Sequence, residues 1–247
     1  MPSLIEQGTT KYQLNLIYLL DTSGSMYGEP INQLNVAMAE AIQMAEEAAN
    51  EKEVQLLMRV VEFNSTARWI FGNTQQGVEH IDWVPLTAGG CTDTEGAIDL
   101  ARSVMHREFL GERNYRPVVI LITDGVSDDT QRTLAAIENL KSSLKSSKNP
   151  NADKITRIAI GVSGANQHEL TSFASVGNIE VDGDTQQNVP FVFNVDDISL
   201  LKSLIKSVTV SSIASSIGAG AGEDGGDDVA EIIVGTQDDP DEGDWED

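Results

Sequence analysis

Four short runs of branched aliphatic residues, separated by amphipathic stretches, constrain this chain more than any other feature. They are QLNLIYLL (13–20), VQLLMRVVEF (54–63), VVILIT (118–123) and ITRIAIGV (155–162). Each reads as a strand buried on both faces.

The stretches between them carry helical periodicity. Pro30 can occupy the first turn of a helix, after which Ile31, Leu34, Met38, Ala41 and Ala45 fall on one face. Ala97, Ile98, Ala101, Val104 and Met105 form a second such face, and further helices are predicted over 129–145, 166–175 and 196–214. Strands alternating with helices imply parallel strands joined by right-handed crossovers. The expected fold is α/β and doubly wound (Rossmann-like), a mostly parallel central sheet with helices on both faces. STARWIF (65–71), after a turn near Asn64, is expected to add one antiparallel edge strand.

With 247 residues and 40% hydrophobic content the chain can build one sizeable core. The layout read from the sequence is an N-terminal extension at 1–11, a domain at 12–214 and a tail at 215–247. From about residue 215 Lys, Arg and His disappear and acidic residues cluster around glycines, the composition of a solvated, disordered segment. Within it VAEIIV (229–234) and GDWED could instead dock on a partner through apolar anchors.

The formal net charge of −23 speaks against nucleic acid and anionic membranes as partners. The lysines of KSSLKSSK (141–148) read as the solvated end of a helix. A single cysteine, Cys91, allows no internal disulfide, which fits a reducing compartment. The N-terminus has no basic region followed by an apolar stretch, and no run approaches the roughly 20 apolar residues that span a bilayer. The expectation is a soluble, cytoplasmic protein.

Ligands of open α/β sheets bind beyond the carboxyl ends of the strands, where strand order reverses. Two such ends carry chemistry. Asp21, Ser23 and Ser25 leave the first strand in LLDTSGSM, and Asp124 leaves another in LITDG. Residues two apart in a loop leaving a strand can turn to the same side, so positions 21, 23 and 25 can converge. AGGCTDTEGAI (88–98) offers a third loop, whose paired glycines permit close approach; Thr92 is its candidate hydroxyl and Thr94 a competitor. Carboxylates and hydroxyls without histidine or thiolate form a hard-ligand set suited to Mg²⁺, with Mn²⁺ as a substitute. With so few carboxylates, the ion would favour an oxygen donor brought by a partner. His80, His106 and His168 show no ligand spacing and read as surface residues.

Asp21-Thr-Ser23-Gly-Ser25, then Thr92 in GGCTDT, then Asp124 in TDG, resembles the von Willebrand factor A domain and its metal-ion-dependent adhesion site over about residues 12–212. The family pattern favours the first threonine of Thr-x-Thr as ligand, hence Thr92. The resemblance implies that Asp21, Ser23, Ser25, Thr92 and Asp124 hold the metal, directly or through water, and that their loops form a protein-binding face. LLDTSGSMYGEPI, VPLTAGGCT and NYRPVVILITDGVSDD running into AIGVSGANQHEL are similar to the bacterial TerY-like branch, named for tellurium resistance. That branch implies a stress-response or defence role, with a protein kinase or a metal-dependent protein phosphatase as partner. The cysteine-rich zinc module of some members is missing, and the acidic tail could take its place.

Plainer readings compete. Ser23 and Ser25 could cap the next helix, and Asp124-Gly125 could be a simple turn. Asp93, Asp128 and Asp129 are expected in capping or outer roles, and Met26 and Trp83 in the interior. LLDTSGS superficially resembles the Asp-Thr-Gly-Ser of aspartic proteases, but Ser23 stands where glycine is required and no second motif follows. A Mg²⁺-dependent phosphatase or phosphotransferase would need a nucleophile or base beside the metal, or a phosphate loop ending in Lys-Ser/Thr; neither is evident. A scaffold that binds through its tail is a further alternative. The sequence reading is therefore a non-enzymatic, metal-dependent interaction module.

Overall fold

In the computed structural model, which describes residues 11–72, 77–110, 113–143, 155–162, 164–218 and 231–235, the four aliphatic runs lie side by side in one sheet. β1 (Gln13–Asp21) leads through a 3-10 turn into α1 (Glu29–Glu51), which returns to β2 (Gln55–Phe63) and the edge strand β3 (Ala67–Phe71). α2 (Thr94–Ser103) and the short α3 (Arg107–Leu110) precede β4 (Val118–Thr123), and α4 (Thr130–Ser142) precedes β5 (Thr156–Val162). Then come α5 (Gln167–Phe173), β6 (Val176–Val181), β7 (Asp184–Pro190), β8 (Val192–Val195), α6 (Leu201–Gly218) and β9 (Glu231–Val234).

The main sheet has the order β3-β2-β1-β4-β5-β8, with β3 antiparallel and every other neighbour parallel. Side chains alternate between its faces, as the pleat requires. Leu16, Tyr18, Leu20, Met58, Val60, Ile120 and Ile160 pack towards α1 and α6, while Ile17, Leu19, Val61, Phe63, Val119 and Leu121 pack towards α2, α4 and α5. Each large apolar side chain so buried contributes about 1.5–3 kcal/mol. Two such layers hold the helices in place, more than helix propensity does. The doubly wound arrangement is therefore as expected, with the predicted antiparallel edge at β3.

Strand order reverses at β1, which has β2 on one side and β4 on the other. In the register, Leu20 lies opposite Ile122, so the ends of β1 and β4 open together. Asp21 and Asp124 are delivered to this crevice.

Several elements differ from expectation. β6, β7 and β8 were not anticipated, and β6 joins β7 and β9 in a second, three-stranded sheet of order β7-β6-β9. β7 is polar and almost wholly exposed, so its sequence carries no apolar alternation. The helix expected over 196–214 begins later: Asp197 caps a 3-10 turn at Ile198–Leu200, and α6 continues to Gly218. The tail, expected to be disordered from 215, instead pairs Glu231–Val234 in parallel with β6, where Ile232 and Val234 are buried. Residues 1–10, 219–230 and 236–247, GDWED included, lie outside the described residues.

Ile198–Gly218 is long and apolar enough, by length and composition alone, to cross a membrane. In this fold it packs on α1, and Lys202 and Lys206 both pair with Glu40.

Candidate metal centre

The site forms where three loops leave the carboxyl edge of the sheet. Asp21, the last residue of β1, is fully buried. Its Oδ1 accepts the Ser23 amide at 2.8 Å, and its Oδ2 accepts the Thr123 hydroxyl at 2.6 Å. Ser25 donates to Asp124 Oδ1 at 2.6 Å and lies 3.0 Å, Oγ to Oγ, from Ser23. The predicted convergence of 21, 23, 25 and 124 is thus present as one hydrogen-bonded chain.

Ser23 leads into the 3-10 turn without capping it through its side chain, and Gly28 stands at the N-cap of α1 with no side-chain cap. Neither Ser23 nor Ser25 is therefore explained by helix capping. Asp93 and Asp129 do take the capping roles expected of them, on Gly96 and Arg132. Asp128 is exposed, and its amide donates to Thr92 O at 3.1 Å, tying the second loop to the third.

Thr92 reaches the cluster, while Thr94 opens the next helix. A Cβ added to Gly125 would stand 3.7 Å from Asp21 Oδ2, Ser25 Oγ and Thr92 Cγ2, so the three loops meet over that glycine. Thr94 is the first residue of α2. Among the described residues, the Thr92 hydroxyl takes no hydrogen-bond partner.

Gly90 sets the approach of the middle loop. Its φ of +87° is a conformation that favours glycine, and a Cβ there would meet Ser65 Oγ at 2.5 Å. Its carbonyl accepts the Gly24 amide at 3.0 Å, while the Gly89 amide donates to Thr22 O at 2.8 Å. The first and second loops are thereby stitched together through backbone groups.

Electrostatically the site lacks a positive charge. Burial pushes the Asp21 carboxyl above its ordinary range; bonds from Thr123 and Ser23 oppose the shift, and the neighbouring charge of Asp124 adds to it. Asp124 is also raised by burial, opposed by Ser25. No Lys or Arg pairs with either carboxylate among the described residues, and buried charges require a partner. Nor are three or more His, Cys, Asp or Glu side chains among those residues arranged to hold a metal ion by themselves. Two carboxylates plus hydroxyls is the whole donor set, and its chemistry fits a small hard cation.

Sequence reasoning missed the supports. Thr123 orients Asp21 and also accepts the Gly125 amide at 3.2 Å. Glu169, 6% exposed, accepts the hydroxyls of Ser127 and Thr130, both at 2.6 Å, and the Asn166 amide at 3.1 Å. It fixes the loop that follows Asp124. The Ser127 and Thr130 hydroxyls just after TDG were the available signal, but the acid they serve lies about forty residues away. Tyr27 and Val126, on the first and third loops, are 80% and 56% exposed. Met26 is buried and Trp83 half-buried, while His106 and His168 are exposed; the side chain of His80 lies outside the described residues.

The family model of the von Willebrand factor type A domain matches residues 15–207. No curated protein matches the chain. Among solved structures, proximal thread matrix protein 1 from the mussel byssus superposes with a TM-score of 0.57 at 21% identity, covering 83% of this chain and 48% of that one. A structure of the same mussel protein with a zinc-occupied MIDAS motif gives 0.53 at 16% identity, covering 82% and 46%. A von Willebrand factor type A structure from Catenulispora acidiphila gives 0.55 at 17% identity, covering 82% and 43%. This chain spans a little under half the length of each of these solved chains.

Proposed function

The chain belongs to the von Willebrand factor type A domain family, and from that premise we propose that it is a non-enzymatic module that binds a protein partner through a metal held by Asp21, Ser23, Ser25, Thr92 and Asp124. One observation carries the reading. Two buried carboxylates and a hydroxyl chain converge at a strand-order reversal with no cation among the described residues to balance them.

The ion we propose is Mg²⁺, with Mn²⁺ able to replace it; the zinc-occupied motif of the mussel structure supports a divalent ion in this fold. The metal would supply a Lewis-acidic position for an oxygen donor from the partner, an Asp or Glu carboxylate. The chain's own part is to fix the loops and exclude competing donors. Thr123 holds Asp21, Glu169 holds the loop after Asp124, and Gly90 brings Thr92 within reach. Tyr27 and Val126 stand out beside the site as apolar anchors for the same partner.

The sequence stretches shared with the TerY-like branch support a finer proposal. The partner would be a protein kinase or metal-dependent protein phosphatase of a bacterial stress-response or defence system, met in the cytoplasm. The test is capture from host lysate with Mg²⁺ or with EDTA, using wild type and Thr92→Ala, followed by mass spectrometry. Partners held only by metal-loaded wild type are expected. Identical partners in every lane would move recognition away from the metal face.

A further inference from the structure

β9 is held along both of its edges, and only one of them is sheet. On the first edge it pairs in parallel with β6, from Asn178 opposite Glu231 to Val181 opposite Val234. On the second it meets three serines of α6 spaced one turn apart. The Glu231 amide donates to Ser215 Oγ at 3.2 Å, the Ile233 amide donates to Ser211 Oγ at 2.6 Å, and Ser207 Oγ donates to Gly235 O at 3.4 Å. Backbone groups of successive strand residues point to opposite edges. The serine stripe thus takes the groups that β6 cannot reach, as a further strand would.

Side chains follow the same alternation. Ile232 and Val234 enter the apolar core at 0% and 3% exposure, while Ile233 is 51% exposed. Main-chain bonding on both edges with seats for alternate apolar side chains is how a protein accepts an added peptide strand.

We infer that the trough between β6 and the Ser207–Ser211–Ser215 stripe is a strand-docking site. Residues 231–235 of the chain itself occupy it here, and an extended partner segment with branched apolar residues at alternate positions, flanked by Lys or Arg, takes the same seat.

Three observations support exchange. The resident segment is held by two buried side chains and a few hydrogen bonds. Glu231 bonds Ser215, close to the end of α6 at Gly218, yet residues 219–230 join them. Twelve residues can reach roughly 40 Å, so the segment can leave without α6 unwinding. Finally, the resident segment is charged unfavourably for its host: it brings Glu231 to a body that is itself acidic, residues 1–218 holding 27 Asp and Glu against 16 Lys and Arg. A basic segment with the same apolar pair would gain where the resident loses. The proposal does not depend on the metal site.

The test uses the full chain and a fluorescent octapeptide, Lys-Ala-Lys-Ile-Ile-Val-Gly-Lys, with binding read by anisotropy. An Ile232→Asp/Val234→Asp variant, which vacates the trough, should bind at least tenfold more tightly than wild type, and adding Ser211→Val should remove most of that gain. Failure of the vacated chain to bind would overturn the proposal, as would equal binding by wild type. A wild-type dimer that the vacated chain does not form would give the seat to a second copy and overturn the partner assignment. Should the double variant misfold, amide exchange in wild type decides. Local opening of residues 231–235, faster than that of Ile120–Ile122, is expected, and exchange of both only on global unfolding would refute it.

Discussion

Asp124 is where a buried charge costs the fold. Its carboxyl is raised by burial, so ionisation opposes folding while no cation is bound. The sign follows from linkage: a carboxyl raised in the folded state contributes stability below its unfolded value near 3.9 and loses it as pH rises through the folded value. Asp124→Asn keeps an acceptor for Ser25 and removes the charge. In EDTA at pH 7 its melting temperature should exceed that of wild type by a few degrees, at about 2–4 °C per kcal/mol, and the gap should close below about pH 4. Saturating Mg²⁺, the proposed ion, should reverse the order, since an ion at 100 times its Kd would stabilise wild type by about 2.7 kcal/mol and leave a variant that no longer binds it unchanged. Calorimetric scans at several pH values, with and without metal, check both halves. Glu169 acts one step further out. It touches no proposed ligand, so Glu169→Gln should leave the fold intact and weaken Mg²⁺ about 10–100-fold through the loosened 125–130 loop; titration calorimetry reads this directly.

The elements legible in the sequence are those whose environment is uniform along their length. β1, β2, β4 and β5 are buried on both faces, so each is a continuous aliphatic run. β7 is a hairpin partner in water, and its Asp-Thr-Gln-Gln-Asn looks like loop. Its signal was the turn: Asp182 and Gly183 both have positive φ, at 49° and 90°, and Asp-Gly between two short runs is a hairpin marker. β9 was misread because four residues cannot show a period when acidic, glycine-rich chain surrounds them. α6 shows a different limit, since it is tied to β1 by a buried pair that only the fold brings together. Tyr18 of β1 lies 2.5 Å from Thr209 Oγ1, and the Thr209 hydroxyl already donates to Ile205 O, so Tyr18 is the donor. The two halves of this bond are unequal. Tyr18→Phe leaves Thr209 bonded and should cost about 0.5–1.5 kcal/mol, whereas Thr209→Val strands a buried phenol and should cost about 1–3 kcal/mol. Urea titrations of both variants test the ordering; a Tyr18→Phe loss as large as that of Thr209→Val would mean that Thr209 relies on Tyr18.

At the scale of the whole molecule, the carboxyl edge of the sheet assembles a site from residues 21–25, 92 and 124, which lie up to about a hundred positions apart. Five residues of three types, Asp, Ser and Thr, at three strand or helix boundaries were enough to predict their convergence, because chemistry of that kind has few structural reasons to recur. What the sequence did not show was how the site is held, since Thr123, Glu169 and Gly90 act through contacts that only the folded chain creates. The surrounding field was legible from composition, and its sign has a kinetic consequence. With a net charge of −23, encounter with a partner that is acidic around the carboxylate it offers is between like charges. Such repulsion acts over about 10 Å at 0.1 M salt and about 30 Å at 0.01 M, so added salt shortens it. The carboxylate–metal contact itself is short and is screened far less. Raising NaCl from about 20 to 300 mM in the presence of Mg²⁺ should therefore increase the association rate several-fold, the opposite of electrostatically steered pairs, while leaving the dissociation rate nearly constant. Stopped-flow binding of a captured partner would measure both. A rate that falls with salt would mean that the docking face carries a local positive field strong enough to overcome the charge of the chain, and so that the ion bound among Asp21, Ser25 and Asp124 dominates the approach as well as the grip.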